Sequence, residues 1–169
     1  MNNTPPSQDT NDSVDKAYEA SLEKALHQAK QTDTGIHQSL DDVQGDLKAP
    51  DQLGTDESGK LIQSIKRDLT DAAHHLNETG KELKDWLGFD LLLIKNELWK
   101  NFTEAADKTT LELMQLKQSA ANAEYHTGEI IGLGTLVCDS CSASLHFHKP
   151  GHIPPCAKCH GTKFHRQNR

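Results

Sequence analysis

Apolar residues recur at spacings of three and four along the first two thirds of the chain, the period of an α-helix with one buried face. The first stripe predicts a helix over 13–31 with Ser13 as its N-cap. A weaker second stripe predicts a helix over 34–48, and a third predicts a helix that ends near Gly80. The three stripes consist of Val14, Tyr18, Leu22 and Leu26; of Ile36, Leu40, Val43 and Leu47; and of Leu61, Ile62, Ile65, Leu69 and Leu76.

The longest apolar pattern begins at Leu83 and continues to Ala120. Gly88 interrupts it and predicts a kink. Beyond Gly88 the repeat predicts a helix of about eight turns, roughly 45 Å long at 1.5 Å per residue. Such sustained spacing favours an antiparallel hairpin or a coiled coil.

The two ends of the chain differ from the helical region in amino-acid composition. Residues 1–12 are almost entirely polar and predict a disordered tail. After residue 124, glycine and proline become frequent and short β-like runs appear at 134–137, 144–148 and 162–166. The predicted organisation is therefore a tail over 1–12, a helical body over 13–124 and a small β domain over 125–169. The expected fold class is mainly α, a helical hairpin or small bundle with a long helix, followed by the small C-terminal β domain.

Composition excludes a membrane-spanning protein. The 169 residues have a mean hydropathy of -0.71, and the longest aliphatic run covers only 91–94. A membrane span needs about 20 apolar residues. The polar N-terminus also lacks the features of a secretory signal, so we expect a cytoplasmic protein.

The distribution of charge divides the chain at the same place as the change in amino-acid composition. Residues 1–125 contain 13 basic and 23 acidic side chains, whereas residues 126–169 contain 5 basic and 2 acidic ones. The body thus has a net charge of -10 and the C-terminal domain one of +3. Because an acidic body repels phosphates, any contact with nucleic acid would have to come from the C-terminal domain.

All four cysteines lie in two CxxC motifs, 138–141 and 156–159, separated by 14 residues. Two such motifs supply four thiolates, the ligand set of a tetrahedral structural zinc site, so Cys138, Cys141, Cys156 and Cys159 are the predicted ligands of one Zn²⁺ ion. Composition does not separate zinc from iron in a four-thiolate site. Two rival interpretations are weaker. The CxxCH string at 156–160 is typical of haem attachment, which would require export and leave two cysteines unexplained. A redox CxxC pair would lack its usual βαβ context.

The other motifs that could indicate a binding or catalytic site are weak. His146, His148, His152 and His165 are possible further ligands, but four cysteines already fill a zinc site. Residues 54–61 resemble a phosphate-binding loop, yet Leu61 replaces the required Ser or Thr. We find no combination of nucleophile, base and acid, and therefore predict no enzymatic activity.

The residues around the cysteines resemble the zinc-ribbon-containing family of uncharacterised bacterial proteins, the YbeL-like proteins. The resemblance rests on residues 125–138, which begin Tyr-His-Thr-Gly-Glu, on 153–156 and 164–166, and on helical positions at 65–69, 98–99 and 107–112. It covers about residues 13–166. It implies an N-terminal helical region, a C-terminal ribbon and a cytoplasmic setting, and it carries the four cysteines over as metal ligands. It implies no particular activity.

Two local features qualify the ribbon. Zinc knuckles commonly have glycine after the second cysteine, where a left-handed backbone is easiest, but this chain has Ser142 and His160 there. Tyr125, His126 and Glu129 lie where the helical body meets the ribbon. They are predicted to hold the two domains together, with a partner site or a fifth metal ligand as alternatives.

Two functions are compatible with these features. The leading hypothesis is a protein-interaction adaptor, a rigid ribbon presented by a helical body that self-associates as a homodimer. The alternative is nucleic-acid binding through Lys149, Lys158, Lys163, Arg166 and Arg169, with Phe147 or Phe164 stacking on a base. A third hypothesis, an enzyme or a thiol switch, would use the CxxC pairs.

Overall fold

The computed structural model describes residues 8–46, 55–79, 82–116 and 124–167. It confirms the predicted fold class, a mainly helical body followed by a small antiparallel β domain that contains the four cysteines. The helices are α1 (Gln8–Thr32), α2 (Ile36–Asp46), α3 (Thr55–Thr79), α4 (Leu83–Leu87) and α5 (Asn96–Leu116). The strands are β1 (Tyr125–His126), β2 (Ile130–Ile131), β3 (Gly134–Cys138), β4 (Ser144–Phe147), β5 (Gly151–His152) and β6 (Lys163–Arg166).

The four longer helices form a bundle around one apolar core. Helix α3 packs against α5 and α2, and α1 packs against α2 and α5. The predicted stripes supply the core: Tyr18, Leu22, Leu40, Ile65 and Phe102 are completely buried. None of the described helices combines the length and the hydropathy that crossing a membrane would require.

Helix α1 begins earlier than the sequence predicted. It includes residues 8–12, which the prediction assigned to a disordered tail, whereas residues 1–7 of that tail lie outside the described residues. Asp12 accepts a hydrogen bond from Lys149 Nζ at 3.0 Å. An exposed ion pair thus links the first part of the helix to the segment after β4, a contact that local sequence could not reveal.

The predicted eight-turn helix is wrong in its first part. Gly88 does not kink a helix but ends α4, with a φ of 77°. The chain then forms a 3-10 turn, Leu91–Leu93, whose first amides are capped by Asp90, and α5 begins only at Asn96. Thr135 of β3 explains the break, because its hydroxyl donates to the carbonyl of Leu87 at 2.6 Å. A Cβ on Gly88 would lie 2.6 Å from that hydroxyl, so only glycine fits. Residues 117–120 of the predicted helix are outside the described part.

The β domain consists of two small antiparallel sheets. One has the strand order β1-β6-β3-β4, and the other pairs β2 with β5. The three runs that sequence predicted correspond to β3, β4 and β6, whereas the two-residue strands β1, β2 and β5 were missed because they are too short for a periodic pattern. Tyr125, Leu136, Phe147 and Phe164 form its separate core together with two of the cysteines.

Candidate zinc site and interdomain junction

The four cysteine sulfurs converge on one point at the end of the main sheet. Cys138 closes β3 and Cys141 lies in the turn to β4, while Cys156 and Cys159 lie in the turn before β6. All four Sγ atoms lie within 4.8 Å of one another. The Cys138–Cys159 and Cys141–Cys156 sulfurs are each 3.6 Å apart. Each close pair thus joins the two CxxC motifs, which is the arrangement that lets four thiolates share one ion.

The two CxxC turns have the same backbone geometry. The Ser142 N–H donates to the carbonyl of Cys138 at 2.9 Å, and the His160 N–H donates to that of Cys156 at 2.8 Å. Ser142 and His160 both adopt the left-handed conformation, with φ values of 62° and 60°. The absence of glycine after the second cysteine therefore does not alter the knuckles, although non-glycine residues adopt this conformation at a cost in free energy.

The environment of the sulfurs favours a cation among them. Backbone N–H groups of Cys159 and Lys158 lower the pKa of Cys156 to about 6, because they stabilise its thiolate. The Gly161 N–H acts in the same sense on Cys159, but the adjoining cysteine sulfurs, that of Cys141 foremost, outweigh it and raise the pKa of Cys159 to about 12. Crowded sulfurs therefore resist carrying four negative charges unless a metal ion balances them.

The donor set fits one structural zinc ion, which the sequence predicted. Four thiolates complete a tetrahedral sphere and leave no position for water or substrate. Because both CxxC motifs contribute to the same centre, neither remains as an isolated haem-attachment or redox motif. When bound, the ion supplies folding free energy to a β domain whose apolar core is small.

The junction residues join the β domain to α3. Arg67 of α3 forms an ion pair with Glu129, and its Nη2 donates to the carbonyl of Ile130 at 3.0 Å. The same guanidinium lies 4.0 Å from the centre of the Tyr125 ring. His126 Nδ1 is 3.0 Å from Glu129 Oε1. Tyr125, His126 and Glu129 thus lie at the interface between the two domains, as an interdomain role requires.

A buried ionic network forms the centre of this interface. Asp68 of α3 is fully buried and accepts hydrogen bonds from Arg166 Nη2 at 2.6 Å, from the Gly132 N–H at 2.7 Å and from the Tyr18 hydroxyl at 2.8 Å. Burial raises the pKa of Asp68, and the Arg166 guanidinium opposes this effect. The donors come from β6, from the segment between β2 and β3 and from α1, so one carboxylate ties α1, α3 and the β domain together.

Arg166 is therefore not the exposed nucleic-acid contact that the sequence analysis proposed. It is only 3% exposed, donates to the carbonyl of Leu133 at 2.6 Å and lies 4.4 Å over the Trp86 ring. Its Nε also lies 3.1 Å from the Asp71 carboxylate. The burial of this cation is explained by its partners, which satisfy its donors without water.

The other predicted nucleic-acid contacts differ in their exposure and pairing. Lys158 and Lys163 are exposed, whereas Lys149 is paired with Asp12. Arg169 lies outside the described residues. Phe164 is 1% exposed and Phe147 is 9% exposed, so neither ring is free to stack on a base.

The four histidines that were considered as possible further ligands lie outside the cysteine cluster. His146 and His148 make edge contacts with Phe89, at 6.0 and 4.5 Å between ring centres. His152 lies 3.4 Å from Glu57, and His165 contacts Asp139 beside the first knuckle. Among the described residues, the cluster able to hold a metal contains the cysteines alone.

Sequence analysis missed the helical half of the junction, namely Arg67, Asp68 and Asp71 of α3. One signal was available for Asp68. It follows Ile65 by three residues and precedes Ala72 by four, which places it on the apolar face of the helix. A charged residue on a buried face predicts an ionic partner, but the sequence does not say which one.

Comparison with known proteins agrees with the geometry. A family model described as a zinc-ribbon containing domain matches residues 21–168. The chain is similar to the uncharacterised protein YbeL of Escherichia coli strain K12, with 35% identity over 121 residues that cover 69% of this chain and 72% of the relative. The YbeL proteins of the O6:H1 and O157:H7 strains match to the same extent. No solved structure matches the chain significantly.

Proposed function

Because the chain belongs to the zinc-ribbon-containing protein family, we propose that it is a non-enzymatic adaptor whose zinc ion shapes a protein-binding domain. The closed four-thiolate site supports this proposal, since such a site stabilises structure and offers no position for catalysis. The helical bundle is the carrier to which the β domain is fixed. The proposed setting is the cytoplasm, which keeps thiols reduced and available for metal.

The observation that carries the proposal is an exposed apolar turn beside an open strand edge. The 3-10 turn presents Leu92 at 89% and Leu93 at 55% exposure. Phe89, at the start of this segment, packs against His146 and His148, so the segment lies along β4. Among the described residues, β4 pairs with β3 alone and is therefore an edge strand of the main sheet. Exposed leucines next to an open edge are typical of a surface that binds another protein.

Nucleic-acid binding is the alternative, and it has lost much of its support. Of the five basic residues that suggested it, Arg166 is buried and Lys149 is already paired, while Lys158 and Lys163 are exposed. Among the described residues, the exposed cations of this set that have no ion-pair partner are Lys158 and Lys163, and two are few because binding to a phosphate backbone depends on the number of phosphates neutralised.

Self-association as a homodimer, through a coiled coil or otherwise, is a separate proposal. The apolar faces of the described helices are largely buried within one chain, which weakens the original reason for expecting it. Leu111 on α5 is 62% exposed and is the helical residue that favours a second copy. Sedimentation of the zinc-loaded protein, with Leu111→Asp as the variant, tests this point.

Affinity capture with the zinc-loaded protein tests the adaptor proposal. We expect at least one protein to be retained by the wild type and lost with the Leu92→Asp/Leu93→Asp variant, and to bind again when it is purified by itself. Leu111→Asp, which also introduces Asp at an exposed leucine, is the matched control, and sedimentation of both variants separates an effect on capture from an effect on self-association. Retention that survives both changes, or anisotropy showing salt-dependent binding of short DNA or RNA instead, overturns the proposal.

A further inference from the structure

A cleft of about 720 Å³ lies where α3 meets the turn between β1 and β2. Its helical wall consists of Lys60, Gln63, Ser64 and Arg67, which recur at the spacing of one helix face. Its other wall is formed by residues 126–130. The volume is within the roughly 300–1,000 Å³ that is typical of ligand sites. A polar face of α3 thus borders an open cleft at the junction of the two domains.

One end of this cleft carries the positive side chain of Lys60. Lys60 is exposed and has no ion pair or hydrogen bond with its side chain among the described residues. Glu57, one helical turn earlier, lies 3.4 Å from His152 instead. Of the charged residues that line the cleft, Lys60 and Arg67 are basic and Glu129 is acidic, so the lining is net positive in a chain whose net charge is -7. An acidic ligand is therefore attracted to this end of the cleft in preference to the rest of the bundle.

The other end of the cleft is neutral and rich in hydrogen-bonding groups. Arg67 lies about 10 Å from Lys60, two turns along α3, and Glu129 neutralises it. Thr127 and His126 line the same end. Gly128 faces open space, since a Cβ there would meet no atom within 4 Å. This end therefore suits the amide groups of a polypeptide, which need donors and acceptors but no further charge.

From this arrangement we propose that the cleft docks an extended acidic peptide segment of a partner protein. A carboxylate of the segment pairs with Lys60, and its main chain runs past Gln63 toward the Arg67–Glu129 ion pair. This inference rests on the proposed adaptor function and names the chemistry of the partner. A nucleic acid fits less well, because the buried Tyr125 ring is not free to stack on a base.

Fluorescence anisotropy of the zinc-loaded full chain tests the inference with a labelled, terminally blocked peptide in which Glu alternates with Ser. We expect this probe to bind and a Gln-Ser peptide of equal length to bind at least tenfold more weakly, a factor that corresponds to about 1.4 kcal/mol. Lys60→Glu is expected to weaken binding of the acidic peptide by roughly tenfold as well. Lys16→Glu, an equal charge change at an exposed position of α1, is the control and is expected to leave binding within about twofold.

Two results would overturn the docking site. Equal binding of both peptides would remove the role of the carboxylate, and equal losses in Lys60→Glu and Lys16→Glu would reduce the effect to net charge. Neither result touches the adaptor proposal, which depends on the leucine turn. Conversely, Leu92→Asp/Leu93→Asp could have no effect on partner capture while Lys60→Glu abolishes peptide binding. That result would support the cleft as a docking site and overturn the leucine turn as the partner-binding surface.

Discussion

Arg166 and Asp68 form a buried ion pair, 2.6 Å between Nη2 and Oδ1, although 98 residues separate them in the chain. Arg166 belongs to the last strand of the β domain, and Asp68 lies in the middle of α3. The strand that carries Arg166 begins just after the second zinc knuckle. The pair therefore connects the metal centre to the packing of the helical bundle.

Breaking this pair is expected to destabilise the whole protein. Asp68→Asn and Arg166→Leu each remove one partner of a buried ion pair, a change that typically costs about 3–5 kcal/mol. Denaturant unfolding of the zinc-loaded variants measures the loss. Lys163→Ala, on the exposed side of the same strand, is the control and is expected to change the free energy of unfolding by less than about 0.5 kcal/mol. Losses that add fully in the double variant would mean that the two residues do not interact.

Removal of zinc is expected to loosen the helical bundle as well as the β domain. Without the ion the knuckles lose the interactions that hold β6, and with it Arg166. Hydrogen exchange measured with and without a chelator should show faster exchange in the central part of α3 as well as in residues 134–166. Protection of α3 that is unchanged by the chelator would show that the bundle does not depend on the metal. Elemental analysis before chelation is expected to give one zinc ion per chain. The protein solution is expected to be colourless, because a four-thiolate iron site would absorb visible light.

The residues that follow the knuckles offer a test of backbone strain. Ser142→Gly and His160→Gly are expected to stabilise the zinc-loaded protein by about 0.5–1 kcal/mol each, since glycine adopts a positive φ without steric cost. Gly161→Ala is expected to have the opposite effect, because its Cβ would lie 3.0 Å from the Cys138 sulfur and 3.2 Å from that of Cys159. Competition with a colorimetric zinc chelator measures the resulting affinities. An unchanged affinity for Gly161→Ala would indicate that the sulfurs have room to move.

Alkaline titration reports directly on the junction. The chain has two tyrosines, and burial raises the pKa of Tyr125 to about 12 and that of Tyr18 well above its ordinary value. Both phenols are therefore expected to stay protonated through the range near pH 10 where unfolded tyrosines ionise. The pKa values of both tyrosines are higher in the folded state than in the unfolded state. The two protonated phenols therefore contribute fully to folding stability below about pH 10, and this contribution is lost as the pH rises above it. Ultraviolet difference absorbance of tyrosinate, recorded alongside circular dichroism, should show ionisation only together with unfolding.

The sequence by itself determined the features that depend on local spacing. The three- and four-residue stripes identified the helical faces that became the core, and the two CxxC motifs identified the four zinc ligands. These predictions succeed because helix periodicity and ligand spacing are properties of neighbouring residues. The same local reasoning failed between 88 and 95, where Thr135 of a distant strand terminates α4.

Only the tertiary structure decided which polar side chains are buried and with which partners. Lys163 and Arg166 lie on one short strand and are both basic, yet one is exposed and the other is enclosed by Asp68, Asp71 and Tyr125. The physical reason is that burying a charge depends on compensation by groups distant in sequence, here on α3 and β1. For the same reason the cleft beside Arg67 exists only once the β domain has docked on the helix.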